Sequence, residues 1–157
     1  MHQQSRTISV IAVLALIGLT ATAEAQRSRR EPPRPRPPTR AEVEAYMRFP
    51  AGERLAVVSI NGIRPAAVDR PSFTFTANSR MTGFGGCNPV NADYRRGVND
   101  IRFGPLNFIE RRCGGEIDRQ ERAIFWAIQG ATHWRPAGQR GMTFTGRRGT
   151  VTFARAF

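Results

Sequence analysis

The chain has 157 residues, 40% of them hydrophobic, and sets 24 basic against 12 acidic side chains for a formal net charge of +12. That length holds one domain with a proper core and is too short for two. Every basic residue is arginine, which suits a surface that pairs with carboxylate or phosphate, although the codon usage of a GC-rich genome would also replace lysine. At the N-terminus, His2 and Arg6 precede the apolar run Ile8 to Leu19 and then "TATAEAQ". This is the layout of a signal peptide with an Ala23-Glu24-Ala25 cleavage site, and the run is short for a bilayer span. Residues 1–25 are therefore expected to be removed on export to a bacterial periplasm or beyond. The charge stays at +12, because Arg6 and Glu24 leave together.

Residues 26–39, "QRSRREPPRPRPPT", offer nothing apolar to a core. Prolines favour an extended chain, and the arginines Arg27, Arg29, Arg30, Arg34 and Arg36 outnumber the one acid, Glu31. A disordered tail is expected, serving as a spacer or touching anionic lipid or cell wall. The folded domain is assigned to residues 40–157. Thr39 and Glu42 have the spacing of a capping box, predicting a short helix through about Met47 that stops before Pro50. "RLAVVSI" then reads as a strand and Asn61-Gly62 as a turn. "SFTFT" alternates with Phe73 and Phe75 on one face, and "RMTGFG" continues as another strand. "MTGFGGCNPVNADY", Met81 to Tyr94, is read as strand followed by a glycine-rich corner, in which Asn88 and Asn91 supply local turn hydrogen bonds. "DYRRG", "DIRF" and "NFIERR" are short strand candidates.

"GEIDRQERAIFWAIQGA" changes period. Ile117, Ala123, Ile124, Ala127 and Ile128 recur near 3.6, Phe125 and Trp126 widen the stripe, and Asp118, Arg119, Glu121 and Arg122 form a polar group. A helix over about 116–129, stopped at Gly130, is predicted. "THWRP", "GMTFT" and "TVTFARA" are three more strands. Strands, one helix, then strands exclude a parallel βαβ sheet and predict an α+β, β-rich domain: a curved antiparallel sheet with one packed helix.

Cys87 and Cys113 are the only cysteines. In an oxidising compartment they are expected to pair, the alternative being a free reactive thiol. A phosphate loop at "GFGGCN" lacks the helix N-terminus that would gather backbone N–H groups on an anion. A cysteine nucleophile needs a neighbouring base, and after export only His133 remains as a histidine, beside Trp134. One histidine and two separated cysteines match no metal-ligand spacing, so neither metal nor cofactor is expected. Arg95-Arg96, Arg111-Arg112 and Arg147-Arg148 fall at turns or strand ends. With export they point to anionic envelope components rather than nucleic acid. The alternating C-terminal "TVTFARAF" resembles the end of an outer-membrane barrel, but the strands are too short for one.

"PSFTFTANSRMTGFGGCNPVNADY", then "RRC", a helix with "ERAIFWAI", and "GMTFTGRRGTVTFARA" together resemble the META domain, also called the HslJ-like family. Gly86-Cys87-Asn88, Tyr94 and Cys113 match its frame, and "SING" at Ser59 to Gly62 resembles its opening strand and turn. The chain departs from the family pattern at Arg54-Leu55, Val90, Ala92 and Ile109. The resemblance implies a cracked or strongly curved barrel-like sheet with one helix, frequent export, an association of some members with stress, and no established catalytic set. The expected function is that of an exported, monomeric, non-catalytic protein with an envelope-stress or ligand- or partner-binding role. Specificity would lie on the concave face of the sheet or on the basic rim, and an apolar cavity, if sheet and helix leave one, would admit a lipid or other hydrophobic ligand. Alternatives are a cysteine-dependent enzyme and a basic adaptor.

Overall fold

Alternation of apolar side chains builds the sheet. In the computed structural model, which describes residues 36–66 and 70–156, Leu55 and Val57 of β1 (Arg54–Ile60) point inward. A bulge between Val57 and Ser59 then shifts the phase, so that Ile60 is buried and Val58 faces out. β2 (Ser72–Phe75) buries Phe73 and Phe75, and β3 (Arg80–Phe84) buries Met81. β4 (Pro89–Arg96) buries Val90, Ala92 and Tyr94. The corner expected to run through Tyr94 is therefore only residues 85–88 long. Asn and Pro residues on the outer face had hidden an alternating strand.

The remaining elements are β5 (Ile101–Phe103), β6 (Asn107–Phe108), α2 (Gly115–Gln129), β7 (Ala131–Ala137), β8 (Gly141–Gly146) and β9 (Gly149–Arg155). All pairings are antiparallel in the order β5-β4-β3-β2-β1-β9-β8-β7, with β6 added beside β4. The two outer strands approach each other: Asp100 and His133 form an isolated bridge, and the Trp134 N–H donates to the Asn99 carbonyl at 2.9 Å. The result is a nearly closed antiparallel barrel with one seam. Closure of this kind leaves few sheet edges open.

Aromatic rings fill the barrel. Phe75 meets Phe144, Phe153 and Tyr94 edge-to-face, at centroid distances of 5.3, 5.6 and 5.9 Å. Phe73, Phe75, Phe144 and Phe153 are all fully buried. The inside of the curved sheet, where a cavity would have admitted a ligand, is thus filled by the protein's own side chains. Gly83 lets this happen, because a methyl group there would run into the Phe73 ring.

Two helices flank the sheet, the short capped one and the long packed one that the sequence led us to expect. α1 (Arg40–Met47) starts at the predicted capping box: the Thr39 N–H donates to Glu42 Oε2 at 2.7 Å and the Glu42 N–H to Thr39 Oγ1 at 3.3 Å. Beyond α1, Phe49 inserts among Phe75, Tyr94 and Trp134. α2 packs on β9, β8, β1 and β5 through Ile124, Ala127 and Ile128. Trp126, counted in its apolar stripe, instead lies 57% exposed, because it falls on the far side of the helix from Ile124 and Ile128. The signal-peptide region and the tail arginines Arg27, Arg29, Arg30 and Arg34 lie outside the described residues.

Candidate functional site

Backbone geometry at residues 85–88 comes first. The turn is closed by the Gly85 N–H donating to the Asn88 carbonyl at 3.0 Å. Gly86 has φ 118°, a conformation that side-chain-bearing residues rarely adopt. Gly85 has a different purpose. A Cβ there would lie 2.6 Å from Glu121 Oε2 and 2.7 Å from the Phe125 ring, so glycine is what lets α2 approach the turn.

Three long-range ties hold this turn. Cys87 is disulfide-bonded to Cys113, with the Cα atoms 5.8 Å apart. Asn88, 1% exposed, donates from Nδ2 to the Arg111 carbonyl at 3.1 Å and accepts the Arg111 N–H on Oδ1 at 2.8 Å. It therefore reads the backbone of Arg111 as a neighbouring strand would. Glu121, only 6% exposed on α2, receives the rest. Its Oε2 accepts the Asn88 N–H at 2.6 Å and the Cys87 N–H at 3.0 Å, and its Oε1 accepts Asn88 Nδ2 at 2.5 Å. Asn88 thus makes no local turn bonds of the kind expected from its side chain; its partners lie 23 and 33 residues away.

These ties fix residues 106–113 against α2, with the Cys113 N–H donating to Asp118 Oδ1 at 2.9 Å. Between the two segments runs a trough of about 280 Å³. One end is apolar, lined by Leu106, Phe108, Phe125 and Trp126, with the Phe108 and Phe125 rings 4.9 Å apart. The other end is charged, lined by Glu110, Arg111, Arg112, Asp118, Glu121 and Arg122. The side chains of Arg111, Arg112 and Arg122 make no ion pair or hydrogen bond with any other described residue. Phe108 is 42% and Ile109 72% exposed, so this side of the molecule shows apolar surface to solvent.

The arginine pairs of the domain singled out from the sequence do not gather: Arg147 and Arg148 lie in the turn between β8 and β9. Arg111 and Arg112 line the trough. Arg95 lies exposed on the outer face of β4, opposite Arg102. Arg96 is turned onto aromatic rings: its guanidinium carbon lies 3.7 Å from the Tyr46 ring centre and 4.4 Å from that of Phe49, and Nη1 donates to the Tyr46 carbonyl at 3.2 Å. Arg96 anchors α1 and is not a free rim charge. Arg36, the tail arginine that is described, donates to the Pro37 carbonyl at 3.4 Å. Tyr94 is structural, its hydroxyl donating to the Thr76 carbonyl at 2.7 Å. Burial raises its pKa above the ordinary 10.0, Arg96 lowers it and Tyr46 adds to the rise.

Glu121, Arg122 and Trp126 were absent from the residues picked as site candidates. A signal for Glu121 was present: it follows Ile117 by four positions and precedes Ile124 by three, so it occupies the buried stripe of α2 rather than the polar group.

A family model described as the META domain matches residues 51–156. Two solved structures are similar in fold. An NMR structure of a protein from Burkholderia xenovorans has a TM-score of 0.55 at 18% identity, covering 78% of this chain and 91% of that one. A second NMR structure has a TM-score of 0.55 at 14% identity, covering 69% and 92%. Among curated proteins, none matches significantly. α1 and Phe49 precede the matched residues.

Proposed function

Starting from a chain that belongs to the META-domain family, we propose an exported, non-catalytic binding protein of the bacterial envelope that holds its ligand on the α2 side of the barrel. The observation that carries this reading is the trough, where exposed aromatic surface adjoins arginines without a partner among the described residues, beside a segment pinned by a disulfide, Asn88 and Glu121. Ligand sites usually join apolar and aromatic lining to a few convergent polar groups, and the trough has both, with a larger polar share than most. The filled barrel argues against a ligand inside the sheet. Export is supported by the disulfide, which suits an oxidising compartment. The Cys87–Cys113 bond speaks against the cysteine-dependent enzyme, which needs a free thiolate. A role in envelope stress is proposed on the family resemblance alone.

Native mass spectrometry of the protein purified from its own envelope fraction tests this. A chain beginning at Gln26, two hydrogens light and carrying a non-covalent adduct, is expected. A cytoplasmic chain that retains its first residues, or an exported one that never carries an adduct, overturns the reading.

A further inference from the structure

Polarity is sorted along the trough. Residues 106–112 run antiparallel to α2, as three contacts show: Phe108 meets Phe125, Asn88 joins Arg111 to Glu121, and Cys113 meets Asp118. Leu106 and Phe108 therefore face the C-terminal half of the helix, and Glu110 to Arg112 face its N-terminal half. Leu106, Phe108 and Glu110 alternate, as expected for an extended segment presenting one face. A volume of about 280 Å³ lies at the small end of ligand sites, which suits one narrow chain.

We propose that the trough binds a single-chain anionic amphiphile, its apolar tail between Phe108 and Trp126 and its carboxylate or phosphate head on Arg111, Arg112 and Arg122. The proposal rests on the binding-protein reading and names the ligand class. Free guanidinium donors select the head. Three guanidinium groups with no partner among the described residues face three carboxylates there, of which Glu121 and Asp118 already accept N–H donors, so the formal charges balance but free bidentate donors remain for an anionic head. Trp126 selects the tail: an indole left 57% exposed on a helix gains apolar contact when a chain lies along it.

Calorimetric titration of the exported chain with dodecanoate, dodecyl phosphate and dodecanol, each below its micellar threshold, tests the proposal. Saturable one-to-one binding of either anion, and of the alcohol at least about tenfold more weakly, is expected. Whichever anion binds more tightly identifies the head. Arg122→Gln, Arg112→Gln and Trp126→Ala should each weaken binding about tenfold, whereas Arg135→Gln, on exposed β7, should not. These side chains are exposed, so the variants fold. Equal binding of alcohol and anions overturns the head assignment, and indifference to all three substitutions overturns the site. If an acidic, phenylalanine-containing peptide binds and the amphiphiles do not, the ligand class is wrong while the binding-protein reading stands. Failure of every probe together with the absence of a native adduct removes both.

Discussion

Asn88 and Glu121 hold each other at two points: the Asn88 N–H donates to Oε2 at 2.6 Å and Asn88 Nδ2 donates to Oε1 at 2.5 Å. The Cys87 N–H completes the set, so one carboxylate satisfies three donors at a buried turn. Glu121→Gln should destabilise the domain by about 2–3 kcal/mol, because its amide NH₂ must face a donor whichever way it is turned. Asn88 cannot compensate by flipping, since both of its side-chain atoms are engaged with the Arg111 backbone. Urea unfolding measures this. A loss below about 0.5 kcal/mol would mean that the three bonds contribute little.

The disulfide closes a separation of 26 positions and, on the chain-entropy estimate, contributes about 3–4 kcal/mol. Cys87→Ser combined with Cys113→Ser should lower the urea midpoint accordingly and leave the far-ultraviolet spectrum native. A loss under about 1 kcal/mol would show that Asn88 and Glu121 restrict the turn without the bridge. Thiol titration of the native wild-type chain should find no free thiol.

Tyr94 brings an alkaline sensitivity. Its folded-state pKa is raised above 10.0 chiefly by burial, so the folded chain keeps the proton that the unfolded chain gives up first. Its contribution is present in full below pH 10 and is lost as the pH rises through the folded value. Tyr94→Phe should cost about 1 kcal/mol at neutral pH for the lost bond to the Thr76 carbonyl, and should flatten this alkaline decline. Parallel urea midpoints between pH 7 and 11 test both parts. An unchanged decline would place the titration elsewhere.

Arg96 holds α1 through the Tyr46 and Phe49 rings and the Tyr46 carbonyl. Arg96→Lys should weaken that hold by about 1 kcal/mol, because an ammonium lacks the flat guanidinium that stacks on a ring. Hydrogen exchange should report faster exchange in α1 with the strand amides unchanged. Uniformly faster exchange would instead mean that Arg96 supports the barrel itself.

Strands and the long helix were legible because their signals are local. Phe73 and Phe75, or Ile117, Ile124 and Ile128, recur at the period of the element they build, and periodicity survives in a bare sequence. The capping box of α1 was legible for the same reason. β4 was obscured because its outward positions carry Pro89 and Asn91, which look like turn residues until Val90, Ala92 and Tyr94 are seen to share the core. Phe49 gave no periodic sign at all. Its burial depends on rings contributed by β2, β4 and β7.

By itself the sequence determined the β-rich class, the single long helix and the family, since each is written in the order and spacing of neighbouring residues. Only the tertiary structure decided what Glu121 does. Its side chain is tied to a turn 33 residues away, and the missing Cβ of Gly85 makes the approach possible. The tertiary structure likewise split the arginines, stacking Arg96 on rings while Arg111 and Arg112 stay along the trough. Charge is a property of composition. Whether a charge is free depends on which rings and carbonyls the fold brings beside it.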